Sequence, residues 1–542
     1  MVVSPVMMKR LLQTYLAVAL LLILLPFQAF SDTVTLTILH TTDLHGQVYA
    51  ETQYDGVVRG GLDRVSALVK KERLENQHVL LVDNGDSIQG NSMAFLFKGS
   101  HIIQAMNAMG YDALAIGNHE FNFGPDVLAA RMWESNFPWL GANFYRVNPA
   151  AGKRWRPVPG SVIREIAGLK VAIVGAFVQD IPNWEQPAYI KNMVFEGVLE
   201  ATREEVLKVR QEADLVVVLA HTGVRPRGVW RGPGPYDPGS AGEAMAKAIP
   251  EMDVLICGHS HRDVAEEFIN GVLVTQAGYW GGALGKVTIQ LEKPLGGRAA
   301  VIGRKAEIIP VTPDMPQDPG LLEVLKPFED KWKAWASEKL GEITGELDFR
   351  QARVSEPEAV RLIHWAMLEA TGADISFHVA FNNSTVLPAG PVTNQDVFDI
   401  YFYDNALFVL TLTGRQIKEA LEVSARAYNT WNFLTAGGLT WTLDMGRPAG
   451  ERVAEVMYRG EPLRDDQILK VAVNHYNSVG GGGYSVLQGA IESHVTGKWV
   501  REAIADYLRR HSPVQVSELA GPPGLTVLNA PETSEPEPAA AY

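Results

Sequence analysis

Short apolar runs alternate with amphipathic stretches along the first 310 residues of the chain. The runs at 170–177, 214–220 and 253–257 consist almost entirely of Val, Ile, Leu, Ala and Gly. Runs of this kind predict strands that are buried on both faces of a sheet. The amphipathic stretches at 61–72 and 100–109 predict helices that cover such sheets. The pattern therefore predicts a layered α/β domain.

The pattern changes after residue 312, where Pro313, Pro316 and Pro319 indicate a domain boundary. An apolar periodicity over 320–340 predicts a helix, which either connects two domains or opens the second one. Helical and strand patterns then alternate as in an α+β domain. We expect this organisation: 1–31 signal peptide, 32–312 larger α/β domain, 313–341 linker and connecting helix, 342–525 smaller α+β domain, 526–542 disordered Pro/Glu/Ala-rich tail.

The amino terminus has the pattern of an export signal. Lys9 and Arg10 precede an apolar segment at 11–27, and Ala29-Phe30-Ser31 fits a small-x-small cleavage site. A retained membrane anchor is the alternative. No other run is long and apolar enough to span a bilayer. We therefore expect a periplasmic or secreted protein without a stable membrane span after cleavage.

Composition limits the partners of the protein. The 542 residues carry a formal charge of −14, which argues against a nucleic-acid polymer as the ligand. A small anionic substrate is still compatible, because metal ions supply local positive charge. Cys257 is the single cysteine, so no disulfide forms within the chain, and we expect it to be a buried apolar residue.

Five polar clusters stand at the ends of predicted strands. They are Asp43-Leu44-His45, Gly85-Asp86, Gly117-Asn118-His119-Glu120, His221 and Gly258-His259-Ser260-His261. Any single histidine is more often a core or surface residue, but the whole set is difficult to explain by packing. Carboxylate, imidazole and amide ligands suit Zn, Mn or similar ions. We expect two divalent ions, with Asp86 as a bridge and His119 directed at a phosphoryl group.

These motifs resemble the metallophosphoesterases of the 5′-nucleotidase family, over about residues 34–520. The opening motif is 38–46, followed by 83–86, Gly117-Asn118-His119-Glu120-Phe121 and 258–261. The resemblance implies a four-layer α/β sandwich followed by a nucleotide-specificity domain. It implies one metal on Asp43, His45, Asp86 and His261, and another on Asp86, Asn118, His221 and His259. A metal-activated hydroxide would attack phosphorus while His119 assists.

The resemblance also implies that two aromatic rings of the second domain clamp the base of a small nucleotide. We assign Phe433 and Tyr476 to this role, and we expect Asn382 and Asn383 to contact the substrate. The nearby loop lacks the anion-binding arginine of the family. Gly482 replaces an aspartate that contacts ribose hydroxyls in 5′-nucleotidases.

Asn122 departs from the family in another way. Many 5′-nucleotidases have an aspartate here, which forms a dyad with the catalytic histidine; Asn122 orients the ring without supplying charge. This feature resembles the 2′,3′-cyclic-nucleotide 2′-phosphodiesterase/3′-nucleotidase branch. We expect a nucleotidase or cyclic-nucleotide phosphodiesterase. The alternatives are a sulfate thioester hydrolase with the same metal centre and a binding protein whose catalysis has lapsed.

Overall fold

The structure is a computed structural model that describes residues 8–9, 32–52, 56–226, 236–294, 298–519 and 524–531. Apart from Met8 and Lys9, the expected signal peptide lies outside the described residues, as do residues 532–542 of the expected tail. Among the described residues, no helix is both long and apolar enough to cross a membrane.

The amino-terminal domain contains seventeen strands and six α-helices in its described part. The strands are β1 (Asp32–Thr41), β2 (Glu51–Thr52), β3 (Val58–Arg59), β4 (Val79–Asp83), β5 (Ala113–Ala115), β6 (Trp139–Leu140), β7 (Phe144–Asn148), β8 (Lys153–Trp155), β9 (Ser161–Ile166), β10 (Leu169–Phe177), β11 (Met193–Phe195), β12 (Leu215–His221), β13 (Val254–Cys257), β14 (Asp263–Ile269), β15 (Val272–Ala277), β16 (Ala283–Lys293) and β17 (Ala300–Pro310). The helices are α1 (Leu62–Glu75), α2 (Ser92–Phe97), α3 (Ser100–Met109), α4 (Pro125–Glu134), α5 (Val198–Val209) and α6 (Gly242–Ala248).

Two six-stranded sheets form the centre of this domain, in the orders β17-β16-β1-β4-β5-β6 and β14-β15-β13-β12-β10-β9. Side chains alternate between the two faces of each strand. On β1, Ile38 packs between the two sheets, whereas Leu39 packs beneath the helices that cover the first sheet. On β10, Ile173 faces the space between the sheets and Val174 faces the α5 and α6 side. These faces define four layers, as expected.

The parallel strands bring their carboxyl ends to one edge of the sandwich. β1 pairs with β4 so that Thr41 lies opposite Asp83, and β12 pairs with β13 so that Ala220 lies opposite Cys257. The loops that follow these strands therefore meet at a common edge. Ligand sites in open α/β sheets occur at this position.

Helix α7 (Pro319–Ala336) leads from the first domain to the second. Asp318 caps its amino terminus by accepting a hydrogen bond from the Gly320 N–H at 3.0 Å. Phe328 packs edge-on against Phe97 with ring centroids 5.0 Å apart, and the Trp332 Nε1–H donates to Ser92 Oγ at 2.8 Å. The helix thus lies on the surface of the first domain.

The second domain contains thirteen strands and six α-helices in its described part. The strands are β18 (Lys339–Ile343), β19 (Leu347–Asp348), β20 (Ile375–Val379), β21 (Val386–Leu387), β22 (Gly390–Thr393), β23 (Ala406–Thr413), β24 (Leu434–Gly437), β25 (Leu439–Asp444), β26 (Val453–Tyr458), β27 (Glu461–Pro462), β28 (Ile468–Asn474), β29 (Glu492–Trp499) and β30 (Leu525–Leu528). The helices are α8 (Glu358–Thr371), α9 (Asn394–Ile400), α10 (Gly414–Arg426), α11 (His475–Ser478), α12 (Val500–His511) and α13 (Val516–Leu519).

A five-stranded sheet, in the order β24-β20-β28-β23-β29, forms the core of the second domain together with α8 and α12. A four-stranded sheet, in the order β27-β26-β25-β30, lies beside it. The structure differs here from the expected boundary at 526. Strand β30 pairs in parallel with β25 and places Leu525 opposite Trp441, so ordered chain continues through β30. A strand as short as β30 is difficult to distinguish from a tail by its composition.

Candidate metal centre and catalytic cleft

The seven candidate metal ligands meet at the common edge of the two sheets. Six of them form two groups, in each of which the carboxylate and imidazole ligand atoms all lie within 4.8 Å of one another. The first group is Asp43, His45 and His261, and the second is Asp86, His221 and His259. The strand ends bring together side chains that are spread over positions 43 to 261 of the sequence. Two adjacent groups of this composition fit two divalent ions.

The backbone at most of these ligands has an unusual conformation. The φ angles are 52° at Asp43, 48° at His45, 55° at Asp86, 64° at His259 and 54° at His261. Left-handed conformations of non-glycine residues cost roughly 1–3 kcal/mol each and cluster at functional sites. Here each residue turns the chain sharply at a strand end, so that its side chain points into the site.

Backbone carbonyls orient two of the histidines. The Nδ1–H of His45 donates to the Gln89 carbonyl at 2.8 Å, and the Nδ1–H of His221 donates to the Asn84 carbonyl at 2.6 Å. This leaves Nε2 as the ligand atom of each ring, which is the usual arrangement around protein-bound metals. Nε2 of His45 lies 3.0 Å from Nε2 of His261, so two ring nitrogens converge on the same point.

Asn118 provides an independent test of whether the residues fit a metal. Its Oδ1 atom is buried and has no hydrogen-bond donor among the described residues. An unpaired buried acceptor costs about 1–3 kcal/mol. A cation next to this oxygen removes that cost. Asn118 follows β5, between Asp86 and His119, at the position where the resemblance implies a ligand of the second metal.

The electrostatics of the site also favour cations. Burial by itself would raise the pKa of Asp86, but His221 and His119 outweigh it and hold this pKa well below its usual range. Burial opposes the charge of His221, yet Asp86 and Asp43 raise its pKa to about 10. The carboxylates thus stay ionised and retain a proton on His221. Because metal ligands must be deprotonated, a bound cation takes the place of that proton.

Glu120 is a buried residue to which the sequence motif assigns no role. It accepts hydrogen bonds from the backbone N–H groups of Gly117 at 2.7 Å, Asp86 at 2.9 Å and Ser87 at 2.7 Å. Burial raises the pKa of this carboxyl. Glu120 therefore joins the loops after β4 and β5 and fixes the backbone that carries Asp86.

His119 stands beside the metal groups rather than among them. Its backbone N–H donates to Asp86 Oδ1 at 2.8 Å, and its ring lies 5.1 Å from that of His45. Nδ1 lies 2.5 Å from Oδ1 of Asn122, and the Asn122 Nδ2–H donates to Oε2 of Glu185 at 2.9 Å. Burial raises the pKa of Glu185 to about 8. The sequence did not indicate Glu185, because it lies 63 positions after its partner.

A cleft separates the metal edge from the second domain. Asn118, His119 and Trp184 line it from the first domain. Tyr403 and Tyr476 line it from the second domain. Tyr476 therefore lines the same cleft as the candidate catalytic histidine, and its contact with a base stays a prediction.

Phe433 does not reach the cleft, and its expected position is corrected. None of its surface is exposed, and its ring packs edge-on against Tyr428 at 5.5 Å inside the second domain. Tyr403 and Phe381, whose ring centroids lie 4.7 Å apart, line the cleft instead. Tyr403 belongs to the aromatic segment Tyr401-Phe402-Tyr403 just before β23. The position of these aromatic residues in a loop is the signal in the sequence that could have indicated Tyr403.

The two asparagines expected to contact the substrate have different surroundings, and their role stays a prediction. Asn382 Oδ1 accepts from the N–H groups of Ser384 at 3.0 Å and Thr385 at 3.1 Å, while its Nδ2–H donates to the Asp399 carbonyl at 2.7 Å. Its amide is thus used to close its own loop. Asn383 is half-buried, and Ser384 and Thr385 are the residues of this loop that line a larger neighbouring chamber.

Comparison with known proteins agrees with this architecture. The profile of the calcineurin-like phosphoesterase family matches residues 36–263, and that of the 5′-nucleotidase C-terminal domain matches residues 339–489. The two together cover well over half of the chain. The chain therefore contains a calcineurin-like phosphoesterase domain, the domain of a family of metal-dependent phosphoric ester hydrolases, followed by a 5′-nucleotidase C-terminal domain.

Individual relatives are distant but extend over most of the chain. The 5′-nucleotidase of Vibrio cholerae is 27% identical, with 90% of this chain and 92% of that protein covered. The 2′,3′-cyclic-nucleotide 2′-phosphodiesterase/3′-nucleotidase of Haemophilus influenzae is 25% identical, with 88% and 85% covered. The trifunctional nucleotide phosphoesterase protein YfkN of Bacillus subtilis is 26% identical over 88% of this chain, which spans 38% of the length of that protein.

A solved structure shows the same arrangement of domains. The 5′-nucleotidase precursor from Thermus thermophilus superimposes with a TM-score of 0.66 and 26% identity. The superposition covers 92% of this chain and all of the other. The expected family and fold are thus confirmed.

Proposed function

We propose that this protein is a two-metal hydrolase of nucleotide phosphoesters that prefers 2′,3′-cyclic and 3′-phosphorylated nucleotides to 5′-monophosphates. One observation carries the proposal. His119 and two of the candidate metal ligands, Asn118 and His259, line a cleft whose other wall includes Tyr403 and Tyr476 of the second domain. A phosphate at the metal edge and a base between the domains both fit this geometry.

The proposed metal ligands follow from the two groups. Asp43, His45 and His261 would hold one ion, His221, His259 and Asn118 would hold the other, and Asp86 would be available to both. When bound, such ions neutralise phosphoryl oxygens and acidify a water molecule. The protein contributes a fixed, dry ligand set that is more than nine-tenths buried at Asp43, Asp86 and His221.

His119 is the proposed proton carrier for the leaving oxygen. Because Nδ1 is occupied by Asn122, Nε2 is the atom that exchanges a proton with substrate. General acid catalysis of this kind contributes about 10²–10⁴-fold in rate. The base is held separately, since stacking on a ring such as Tyr403 or Tyr476 contributes roughly 1–3 kcal/mol and tolerates every base.

Two features support the preference for cyclic or 3′-phosphorylated substrates. Asn122 replaces the family's aspartate beside the catalytic histidine. Gly482 has a φ of +69°, and a Cβ at this position would lie 2.5 Å from Asn432 Oδ1. An aspartate here would need a left-handed backbone and a shift of the Asn432 side chain. Relatives named 5′-nucleotidase and relatives named 2′,3′-cyclic-nucleotide 2′-phosphodiesterase/3′-nucleotidase are about equally similar to this chain, so the proposed preference rests on these two residues.

The proposal includes export from the cytoplasm. The sequence at 1–31 supports it, and the acidic character of the chain fits a protein that acts on small molecules. Mass spectrometry of the mature amino terminus tests it. A chain beginning near Asp32 is the expected result, and an intact Met1 in an exported or cytoplasmic protein contradicts cleavage.

A substrate panel tests the proposed activity. Purified protein reconstituted with Mn²⁺, Zn²⁺ or Co²⁺ is assayed on 2′,3′-cyclic AMP, 3′-AMP, 5′-AMP and p-nitrophenyl phosphate. We expect kcat/KM to be highest for the first two nucleotides. The Asp86→Ala variant should lose bound metal together with activity, whereas His119→Gln should keep the metal and lose kcat.

Two results would overturn the proposal. Turnover of protein-bound sulfur esters without any nucleotide hydrolysis would assign the site to another substrate. An unchanged physiological effect in both the Asp86→Ala and His119→Gln variants would show a binding protein without catalysis.

A further inference from the structure

A chain of three side chains lies along the wall that the first domain contributes to the cleft. It consists of His119, Asn122 and Glu185, with distances of 2.5 Å between His119 Nδ1 and Asn122 Oδ1 and 2.9 Å between Asn122 Nδ2 and Glu185 Oε2. Glu185 is 2% exposed and follows the turn Ile181–Asn183. The family resemblance assigns no role to this glutamate.

The amide of Asn122 is the asymmetric member of this chain. Its oxygen only accepts hydrogen bonds, and its nitrogen only donates them. When the nitrogen faces Glu185, the oxygen must face His119, and His119 then carries its proton on Nδ1. If the amide turned over, its NH₂ group would face Nδ1 and would require a bare nitrogen there. The orientation of one amide therefore selects the histidine tautomer.

Glu185 has fixed surroundings that make it an acceptor at both oxygens. Oε1 accepts from the Gln186 N–H at 2.8 Å, while Oε2 accepts from Asn122. His475 of the second domain approaches Oε1 with Nε2 at 3.8 Å. The N–H of Ala406 donates to His475 Nδ1 at 3.1 Å, so a neutral His475 carries its proton on the nitrogen that faces Glu185. Gln186 and Asn122 thus each donate to the ionised form of Glu185, which predominates above its raised pKa of about 8. The His475 nitrogen, at 3.8 Å, lies beyond hydrogen-bonding distance.

The tautomer matters because of the proton that His119 carries. A protonated imidazole has an N–H on both nitrogens and needs an acceptor at Nδ1. Asn122 in the observed orientation supplies that acceptor, whereas the reversed amide opposes the protonated ring. We propose that Glu185 is a positioning residue that holds the Asn122 amide in the orientation required for His119 to take up and deliver a proton. This proposal rests on the function proposed above for His119.

A glutamine at position 185 provides a sharp test. Its side-chain carbonyl must accept from the Gln186 N–H, so its NH₂ group faces Asn122 and forces the Asn122 oxygen to turn toward it. The amide reverses, and His119 is left in the wrong tautomer. An aspartate at position 122 would remove this dependence, because a carboxylate presents an acceptor oxygen to His119 in either orientation.

The experiment is a double-mutant cycle with the metal-loaded protein and two aryl phosphates that differ in leaving group. With phenyl phosphate, whose leaving oxygen needs a proton, Glu185→Gln should lower kcat by about 30-fold and leave KM within about twofold. This loss is smaller than the about 10²–10⁴-fold that general acid catalysis contributes, because His119 is misoriented rather than removed. With p-nitrophenyl phosphate the loss should be less than about threefold, because that leaving group departs as an anion. In the Asn122→Asp background, Glu185→Gln should have no effect on either substrate.

Glu205→Gln is the matched control, since Glu205 is also 2% exposed but pairs with Arg156 away from the cleft. Its kcat should equal that of the wild type. An equal loss from Glu185→Gln in both backgrounds, or with both leaving groups, would overturn the positioning role. Aryl phosphates make this outcome independent of whether nucleotides are the natural substrates.

Neutron diffraction gives a readout that does not require turnover. In the wild-type holoenzyme we expect deuterium on Nδ1 of His119 and the Asn122 ND₂ group directed at Glu185. In Glu185→Gln the Asn122 amide should be reversed. An unreversed amide in the variant, or a bare Nδ1 in the wild type, would contradict the proposal.

Discussion

At the residue scale, the site depends on a close contact between the loops after β4 and β5, where Gly85 and Gly117 leave no room for a side chain. A Cβ at Gly117 would lie 2.3 Å from Asp86 Oδ1 and 2.5 Å from the Asp86 backbone nitrogen. The Gly85 position is equally close to the Gly117 backbone, with 2.6 Å from its Cβ to the Gly117 nitrogen. Glycine is therefore required here for a close approach of two backbones, and the proposed bridging carboxylate lies at the point of contact.

Replacing Gly117 by alanine should displace Asp86 and weaken metal binding. We expect the bound metal to fall below half of the wild-type content and kcat to fall by about 10–100-fold, the range seen when support of a metal ligand is lost. Elemental analysis of purified protein and steady-state kinetics measure the two effects. Gly320→Ala is the control, because its nearest neighbours to an added Cβ lie 3.5 Å away. Full metal content in Gly117→Ala would refute this account.

At the element scale, strand β20 carries a polar residue into the core of the second domain. His378 is 4% exposed, and its ring centroid lies 6.0 Å from that of His364 and 5.7 Å from that of Tyr401. Burial lowers the pKa of His378 to about 3. An unfolded histidine has a pKa of about 6.5. Between these two pKa values, the unfolded chain therefore binds a proton at this position and the folded protein does not. The free energy of unfolding therefore falls as the pH drops below about 6.5.

Removal of this group should flatten the acid dependence of stability. Below pH 6.5, His378 lowers the free energy of unfolding by about 1.4 kcal/mol per pH unit. Between pH 7 and pH 5, the free energy of unfolding of His378→Gln should therefore fall by about 2 kcal/mol less than that of the wild type. Urea unfolding of the second domain, followed at both pH values, measures the difference. Since glutamine also changes packing, the comparison is between pH values within each protein. Parallel pH dependences in the two proteins would show that His378 is not the titrating group.

At the scale of the whole molecule, Arg501 of α12 contacts both domains next to the residues that line the cleft. Its guanidinium donates to the carbonyls of Tyr401 at 3.1 Å and Tyr403 at 2.9 Å and pairs with Asp404. It lies 4.3 Å from the ring centroid of Phe95 in the first domain. Asp404 in turn accepts from the Gln89 Nε2–H at 2.7 Å. The segment that carries Tyr403 is therefore held by contacts with both domains.

Arg501→Lys keeps the charge but loses the planar fork that reaches several acceptors. Tyr403 should then be held less firmly, and KM for the preferred nucleotide should rise by about tenfold, equivalent to about 1.4 kcal/mol. Turnover of p-nitrophenyl phosphate should stay within about twofold, because that ester needs no base site. Arg509→Lys, on the exposed side of the same helix, is the control. An equal change for both substrates would argue for a general loss of structure.

The sequence by itself determined the family, the layered fold and the set of proposed ligands. Buried strands are recognisable in the sequence as apolar runs, so the ends of the strands could be located from the sequence. Asp43, Asp86 and His221 each stand near the end of such a run. Parallel packing then brings strand ends together by necessity. These conclusions depend on local patterns, which the chain displays directly.

Only the tertiary structure decided which rings face the cleft and what orients His119. Phe433 and Tyr403 are both aromatic residues in loops before strands, and their opposite fates depend on packing inside the second domain. Glu185 joins Asn122 across 63 positions without any motif. Side-chain direction and long-range hydrogen bonds are set by contacts between elements, and these contacts cannot be predicted from a local sequence pattern.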